Sequence, residues 1–249
     1  MFNFFVEQRD LQQNVFSITG NDYNHIKNVL RMKIDDVFLV SCDGVSNLCR
    51  LVSFTDDAVL AEIVEKNYQN TELSAKIYLF QGIAKGEKME WIIQKCVELG
   101  CSQIIPTEMS RCVVKIEEKK KKSKQARWQA ISESAAKQSK RTVIPEVKEP
   151  MSFKNALNYA KDLDLLLVPY ENERGMIATK EALAYIKKAK SVGIFIGPEG
   201  GFAEAEIEAL TSLSGKTVSL GSRILRTETA AITAVSMCML YLEMNGETE

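Results

Sequence analysis

The chain has 249 residues, 45% apolar and 26% charged, the make-up of a folded protein with enough chain to bury a core without staples. Its formal net charge of −1 means that any polyanion contact must come from a local patch. Six cysteines without a Cys-x-x-Cys pair, and a single histidine, His25, argue against a metal site of zinc type and for reduced thiols in a cytoplasmic protein.

In chain order, MFNFFVEQRD lacks a basic start and its apolar run stops at Glu7, so it does not read as a secretory signal. Residues 1–70 are β-rich: VFLVSCDG and NLCRLVSFTDDAVLAEIVE are β-branched runs broken by turn signals at 42–44 and 55–57. One helix, NDYNHIKNVLRM, is expected among them, with Asn21 as its N-cap. The polar stretch 67–74 reads as a linker to a second domain over 74–246.

From residue 75 short apolar runs alternate with amphipathic ones. Strands are expected at KIYLFQGI, QIIPTE, LDLLLVPYE, SVGIFIG and KTVSLG. Helices are expected at EKMEWIIQKCVELG, QARWQAISESAAKQS, KEALAYIKKAK, AEAEIEALTSL and ETAAITAVSMCMLYLE. In the first, Met89, Ile92, Ile93 and Cys96 share a face and Gly100 is the stop. The alternation argues for an α/β domain with a mostly parallel sheet and helices on both faces. The longest uncharged run, Ala230 to Leu242, would span about 20 Å as a helix. That is short of the ~30 Å hydrocarbon core, so no membrane partner is expected.

Open parallel sheets bind ligands beyond the carboxyl ends of their strands. Three loops lie there: VPYEN, GPEGG and GSRILRTE. The stretch 197–201 lacks the lysine of a phosphate loop, and no Gly-x-Gly-x-x-Gly occurs anywhere. Glu199 would repel a pyrophosphate, and the acidic start of the next helix suits the helix dipole itself. A tight Gly/Pro turn is one reading of this loop. The other is a cage of main-chain polar groups for a ligand that is neutral or cationic, and S-adenosylmethionine fits, with a neutral adenosine and a positive sulfonium. In the last loop Thr227 and Glu228 suit a helix start, Thr227 as N-cap. Arg223 and Arg226 do not, because the dipole disfavours cations there, which points to an anionic partner.

IGPEGGF followed by LGSRILRTETA resembles the two C-terminal signature loops of the ribosomal RNA small subunit methyltransferase E family, of the SPOUT class. HIKNVLRMKIDD, KMEWIIQKCVELGCSQIIPTEMSRCVV and SESAAKQSKRTVIPEV resemble further family segments, so the likeness covers nearly the whole chain. It departs at Lys137 and Lys140, where more neutral or acidic residues are common. The resemblance implies a small PUA-like β-barrel over residues 1–70, then a SPOUT-type parallel sheet with a C-terminal trefoil knot. Generic topology rules argue against any knot. It also implies a homodimer packed through the knot, and methylation of N3 of a uridine near the 3′ end of 16S rRNA in the small ribosomal subunit. A non-catalytic RNA-binding protein that kept the fold is the alternative.

The expected donor-binding residues are Val168, Pro169, Gly197, Pro198, Glu199, Gly200, Gly201, Leu220, Gly221, Ile224, Leu225, Arg226 and Thr229. Arg226 would stabilise the developing uridine anion or orient the base, and Glu228 would help the proton leave or fix Arg226. Residues 111–141 hold eleven Lys and Arg against three Glu, a net +8 that leaves −9 for the rest. Lys119–Lys122 and Lys124 are expected in a mobile loop, solvated or touching phosphates. Arg111, Lys137 and Arg141, with Lys85, are the ordered RNA-contact candidates of the second domain. His25, Arg31 and Lys33 are those of the first, although a lone histidine is more often a packing residue.

Overall fold

The structure is a computed structural model that describes residues 1–246. The described residues form two compact units, residues 1–72 with 136–144, and residues 73–135 with 145–246. In the first unit six strands form one sheet: β1 (Asn3–Val6), β2 (Leu11–Gln12), β3 (Val15–Thr19), β4 (Val37–Cys42), β5 (Val45–Phe54) and β6 (Ala58–Gln69). Their order is β1-β4-β5-β6-β3-β2, antiparallel except for β1 on β4. Side chains of alternate residues, among them Phe16, Ile18, Phe38, Val40, Cys49, Leu51, Val59 and Ala61, turn to one face and close a core with Phe4 and Ile26.

The helix expected from Asn21 begins one residue earlier, with Thr19 as the flanking residue. It runs as α1 (Gly20–Asn24) into a π-helical turn over His25–Val29. It ends before Met32 because Arg31 takes a left-handed φ of 53°. Asn21 is therefore inside the first turn and caps nothing. The expected linker is also shorter, since β6 continues to Gln69.

The second unit holds seven strands, all parallel: β7 (Lys76–Gly82), β8 (Gln103–Glu108), β9 (Glu146–Val147), β10 (Met151–Ser152), β11 (Leu165–Pro169), β12 (Ser191–Ile196) and β13 (Lys216–Val218). The order is β10-β8-β7-β12-β11-β13, with β9 on β8. Between them run α2 (Lys88–Glu98), α3 (Glu118–Ser139), α4 (Phe153–Ala160), α5 (Ile177–Ile186), α6 (Glu204–Ser212) and α7 (Thr227–Asn245). Both faces are covered, as the alternation requires. Phe80, Ile105, Leu166, Val168 and Phe195 point to α4 and α6. Phe80 and Phe195 are register partners whose rings stack 4.3 Å apart. The opposite residues, Leu79 and Ile194 among them, are buried, and α7 packs on β7, β12, α2 and α5.

Two expectations are corrected here. The lysine run is helical, because α3 starts at Glu118 and takes Lys119–Lys124 into its first turns. Lys120 pairs with Glu117 and Lys121 with Glu118, an i,i+3 arrangement that supports a helix start. The helix expected over 180–190 is displaced toward the N-terminus, to Ile177–Ile186. β9 and β10 are not among the expected elements, since two-residue strands carry no periodic signal. Nor is α4 among them, although Phe153, Ala156, Leu157 and Ala160 recur at helical spacing.

Candidate active site: two loops over a parallel sheet

β12, β11 and β13 are consecutive in the sheet, so the loops that leave their carboxyl ends are neighbours. They enclose a cavity of about 450 Å³. Its lining comes from 169–171, Glu173, 196–199, Gly201, Phe202, 219–227, Lys88 and Ala230. Of the expected donor-binding residues, Pro169, Gly197, Pro198, Glu199, Gly201, Leu220, Gly221, Ile224, Leu225 and Arg226 line it. Val168, Gly200 and Thr229 do not. Val168 is fully buried in the core beneath, and Gly200 faces Arg111, where a Cβ would lie 2.9 Å from the Arg111 Cβ.

The 197–201 turn is built from residues that tolerate it. Gly201 has φ +69°, and a Cβ at Gly82 would stand 2.6 Å from the Pro198 nitrogen. Thr227 ties the turn to α7: its hydroxyl donates to the Gly197 carbonyl at 2.7 Å and accepts from the Gln81 amide at 2.9 Å. Thr227 is thus the first helical residue. Arg226 holds the N-cap position, and the expected side-chain cap is absent. The Glu199 carboxylate accepts from the Lys85 amide and pairs with Lys88 Nζ, both at 3.0 Å. Burial pushes its carboxyl up, but these two partners outweigh it and hold the group below its ordinary value.

The start of α6 is closed from within. Glu206, buried, accepts from the Ala203 and Ser110 amides at 2.9 and 2.8 Å. That carboxylate occupies the positive helix end, so a phosphate has no place there. Thiolate chemistry is also disfavoured: burial raises the Cys112 and Cys96 thiols and pushes Cys49 and Cys238 up to about 12. Among the described residues no group of three His, Cys, Asp or Glu could hold a metal ion, and no helix is long and apolar enough to cross a membrane.

Arg223 and Arg226 are exposed at the cavity, and neither makes an ion pair among the described residues. Glu228, two residues on, does not share their cavity and does not pair with Arg226. It lines a second cavity with Glu87, Lys88, Glu90, Trp91, Gln94 and Ile131.

The chain matches a family model described as an RNA methyltransferase domain over residues 71–239 and one described as an RNA methyltransferase PUA domain over 18–64. It is 41% identical to the ribosomal RNA small subunit methyltransferase E of Bacillus subtilis, over 98% of both chains. The chain belongs to that methyltransferase family. The enzyme of the same name from Mesomycoplasma hyopneumoniae is 35% identical over 96% of this chain and 99% of its own. The crystal structure of the Neisseria gonorrhoeae enzyme bound to S-adenosyl methionine superposes with a TM-score of 0.82 at 28% identity, over 96% of this chain and 97% of that one.

Within this family member the expected RNA contacts divide. His25 is half-buried, its ring edge-on to Phe4 at 6.2 Å. Arg31, Lys33, Lys85 and Arg111 are exposed, and Arg111 also donates to the Gly200 carbonyl. Lys137 is committed to Asp22, one turn before His25, at 2.8 Å. Arg141 differs from the expectation of an accessible cation: it is 2% exposed and forks onto the Glu72 carboxylate, so its guanidinium is spent inside the fold. The sequence reading passed over Tyr170, Glu171, Glu173, Phe202 and Ser222 of the cavity wall. Tyr170 and Glu171 belong to the strand-exit loop VPYEN and Ser222 to GSRILRTE, which is the available signal; Glu173 and Phe202 lie just beyond these strand-exit loops.

Proposed function

We propose that this chain transfers a methyl group from S-adenosylmethionine to N3 of a uridine near the 3′ end of 16S rRNA in the small ribosomal subunit. The observation that carries the reading is the glycine-turn cavity with two unpaired arginines. Its volume suits a small ligand. Its main-chain groups and apolar Ile196, Leu220 and Leu225 suit a neutral adenosine, and Glu171, Glu173 and Glu199 suit a positive sulfonium. The donor, when bound, supplies an electrophilic methyl group on sulfur.

The chain's own part is to hold the uridine nitrogen in line behind that methyl, roughly 3–3.5 Å away, and to shut out water. Arg226 stabilises negative charge as N3 loses its proton. Glu228 takes that proton or passes it to solvent, while the methyl–sulfur bond breaks and the nitrogen–carbon bond forms. Arg31, Lys33, Lys85, Arg111 and the exposed lysines of α3 meet the phosphates, which gives affinity without sequence choice. The reading includes a domain pair at about residues 1–70 and 74–246, a SPOUT class with a C-terminal trefoil knot, a homodimer through the knot and a cytoplasmic location. Family membership supports these features.

Tritium transfer from labelled donor to undermethylated small subunits, followed by mapping of the modified base, tests it. Label on N3 of one 16S uridine is expected. Competent subunits that bind the protein and acquire no label would leave the non-catalytic RNA-binding reading.

A further inference from the structure

We infer that the second cavity is the pocket for the acceptor base and that it reads the pairing edge of uracil. The inference rests on the methyltransferase reading and adds the place and chemistry of acceptor recognition. The cavity, of about 540 Å³, lies against α2 and the start of α7. Lys88 lines this cavity and the donor cavity alike, so the two share a wall.

Four features of its lining fit a pyrimidine. Glu228 Oε2 is shielded from solvent and has no hydrogen-bond partner among the described residues. Buried acceptors are seldom left unpaired, so a donor is missing at that point. Trp91, one turn after Lys88, keeps 52% of its surface exposed, with Lys95 Nζ 4.9 Å from its ring centroid. An exposed indole is a platform for a base, since every base has a π-face. Gln94, a further turn along, lines the cavity and its amide makes no hydrogen bond among the described residues. Glu90, by contrast, is held by Arg127 at 2.8 Å and does not compete.

Uracil presents two carbonyl acceptors flanking one N3–H donor. Glu228 supplies the acceptor for N3–H, and Lys88 and Gln94 supply donors for the carbonyls. Lys88 has protons to spare beyond its bond to Glu199, because an ammonium carries three. Cytosine offers an amino donor in place of O4 and no proton on N3, so it would leave Glu228 unpaired and face Lys88 with a donor. The site thus selects uracil by the same carboxylate that receives its proton.

Full-length protein carrying Trp91→Ala or Gln94→Ala, assayed on undermethylated small subunits, tests the assignment. Donor affinity by calorimetry and the melting temperature should stay at wild-type values, since both side chains lie outside the core. The kcat/KM for subunits should fall at least about tenfold for Trp91→Ala, with a raised KM for Gln94→Ala. Wild-type kcat/KM in both variants overturns the inference while leaving the methyltransferase reading intact. So does a Trp91→Ala variant that changes oligomeric state with unaltered RNA kinetics, because the indole then belongs to a contact between copies. A wild-type protein that transfers no methyl group overturns both.

Discussion

Arg226 and Thr227 are adjacent, and they do unlike work. Arg226 is exposed at the cavity over β11, β12 and β13 without an ion pair among the described residues, and Thr227 is buried and bonded twice. Arg226→Ala should therefore leave S-adenosylmethionine affinity near normal and lower turnover at least ~10²-fold, the usual loss when one charge-stabilising group is removed. Calorimetry beside single-turnover kinetics checks it, and unchanged turnover removes Arg226 from the mechanism. Thr227→Val should instead cost stability, about 1–3 kcal/mol, because it strands the Gly197 carbonyl and one hydrogen of the Gln81 amide away from water, the other staying with the Gly82 carbonyl. Urea titration measures that loss. The notable arginines were legible in the sequence as cations at a helix start; the role of Thr227 was not, since both its partners are remote in the chain.

At the scale of elements, α3 shows how local charge decides structure. Its lysine run was expected to be a mobile loop, since like charges repel. Glu117 and Glu118 precede the run and pair with Lys120 and Lys121, while Lys121 also reaches Glu108. Lys122 and Lys124 remain exposed on the helix. Replacing Lys119, Lys122 and Lys124 by alanine should leave helix content unchanged by circular dichroism, because alanine favours helix. The same change should reduce the salt dependence of RNA binding, lowering the log–log slope by about 2 for three lost phosphate contacts. An unaltered slope would mean that these lysines are only solvated.

At the scale of the whole molecule, the last turn of α3 and residues 140–144 return to the first compact unit. Arg141 anchors that return. Its guanidinium forks onto Glu72, Thr142 N donates to the same carboxylate at 3.0 Å, and the Arg141 carbonyl accepts from Asn3 at 2.9 Å. Arg141→Ala should destabilise the protein by about 3 kcal/mol, the lower end for breaking a buried ion pair, because Thr142 N still donates to the Glu72 carboxylate. Burial pushes the Glu72 carboxyl up, but Arg141 and Thr142 outweigh it and hold it below its ordinary 4.5. A carboxyl held lower in the folded chain stabilises above its unfolded value, and the gain is lost as pH falls through the folded value. The penalty of Arg141→Ala should thus be full near neutrality and shrink below about pH 4.5, which denaturant titrations at several pH values would show.

Short windows of sequence specify the alternation of strands and helices, the parallel sheet, the β-rich first unit and the glycine and arginine loops that line the cavity over the sheet. These are local: period, turn chemistry and charge at strand ends are written in neighbouring residues. Which basic residues are held in ion pairs emerges only from the folded chain. Arg141 and Lys137 looked like Arg111 and Lys85 in the chain, and their partners Glu72 and Asp22 lie far from them in sequence. Strand order was equally hidden, and with it the meeting of three loops over one cavity. Pairing between remote segments is set by packing and long-range hydrogen bonds, which no short window of sequence records.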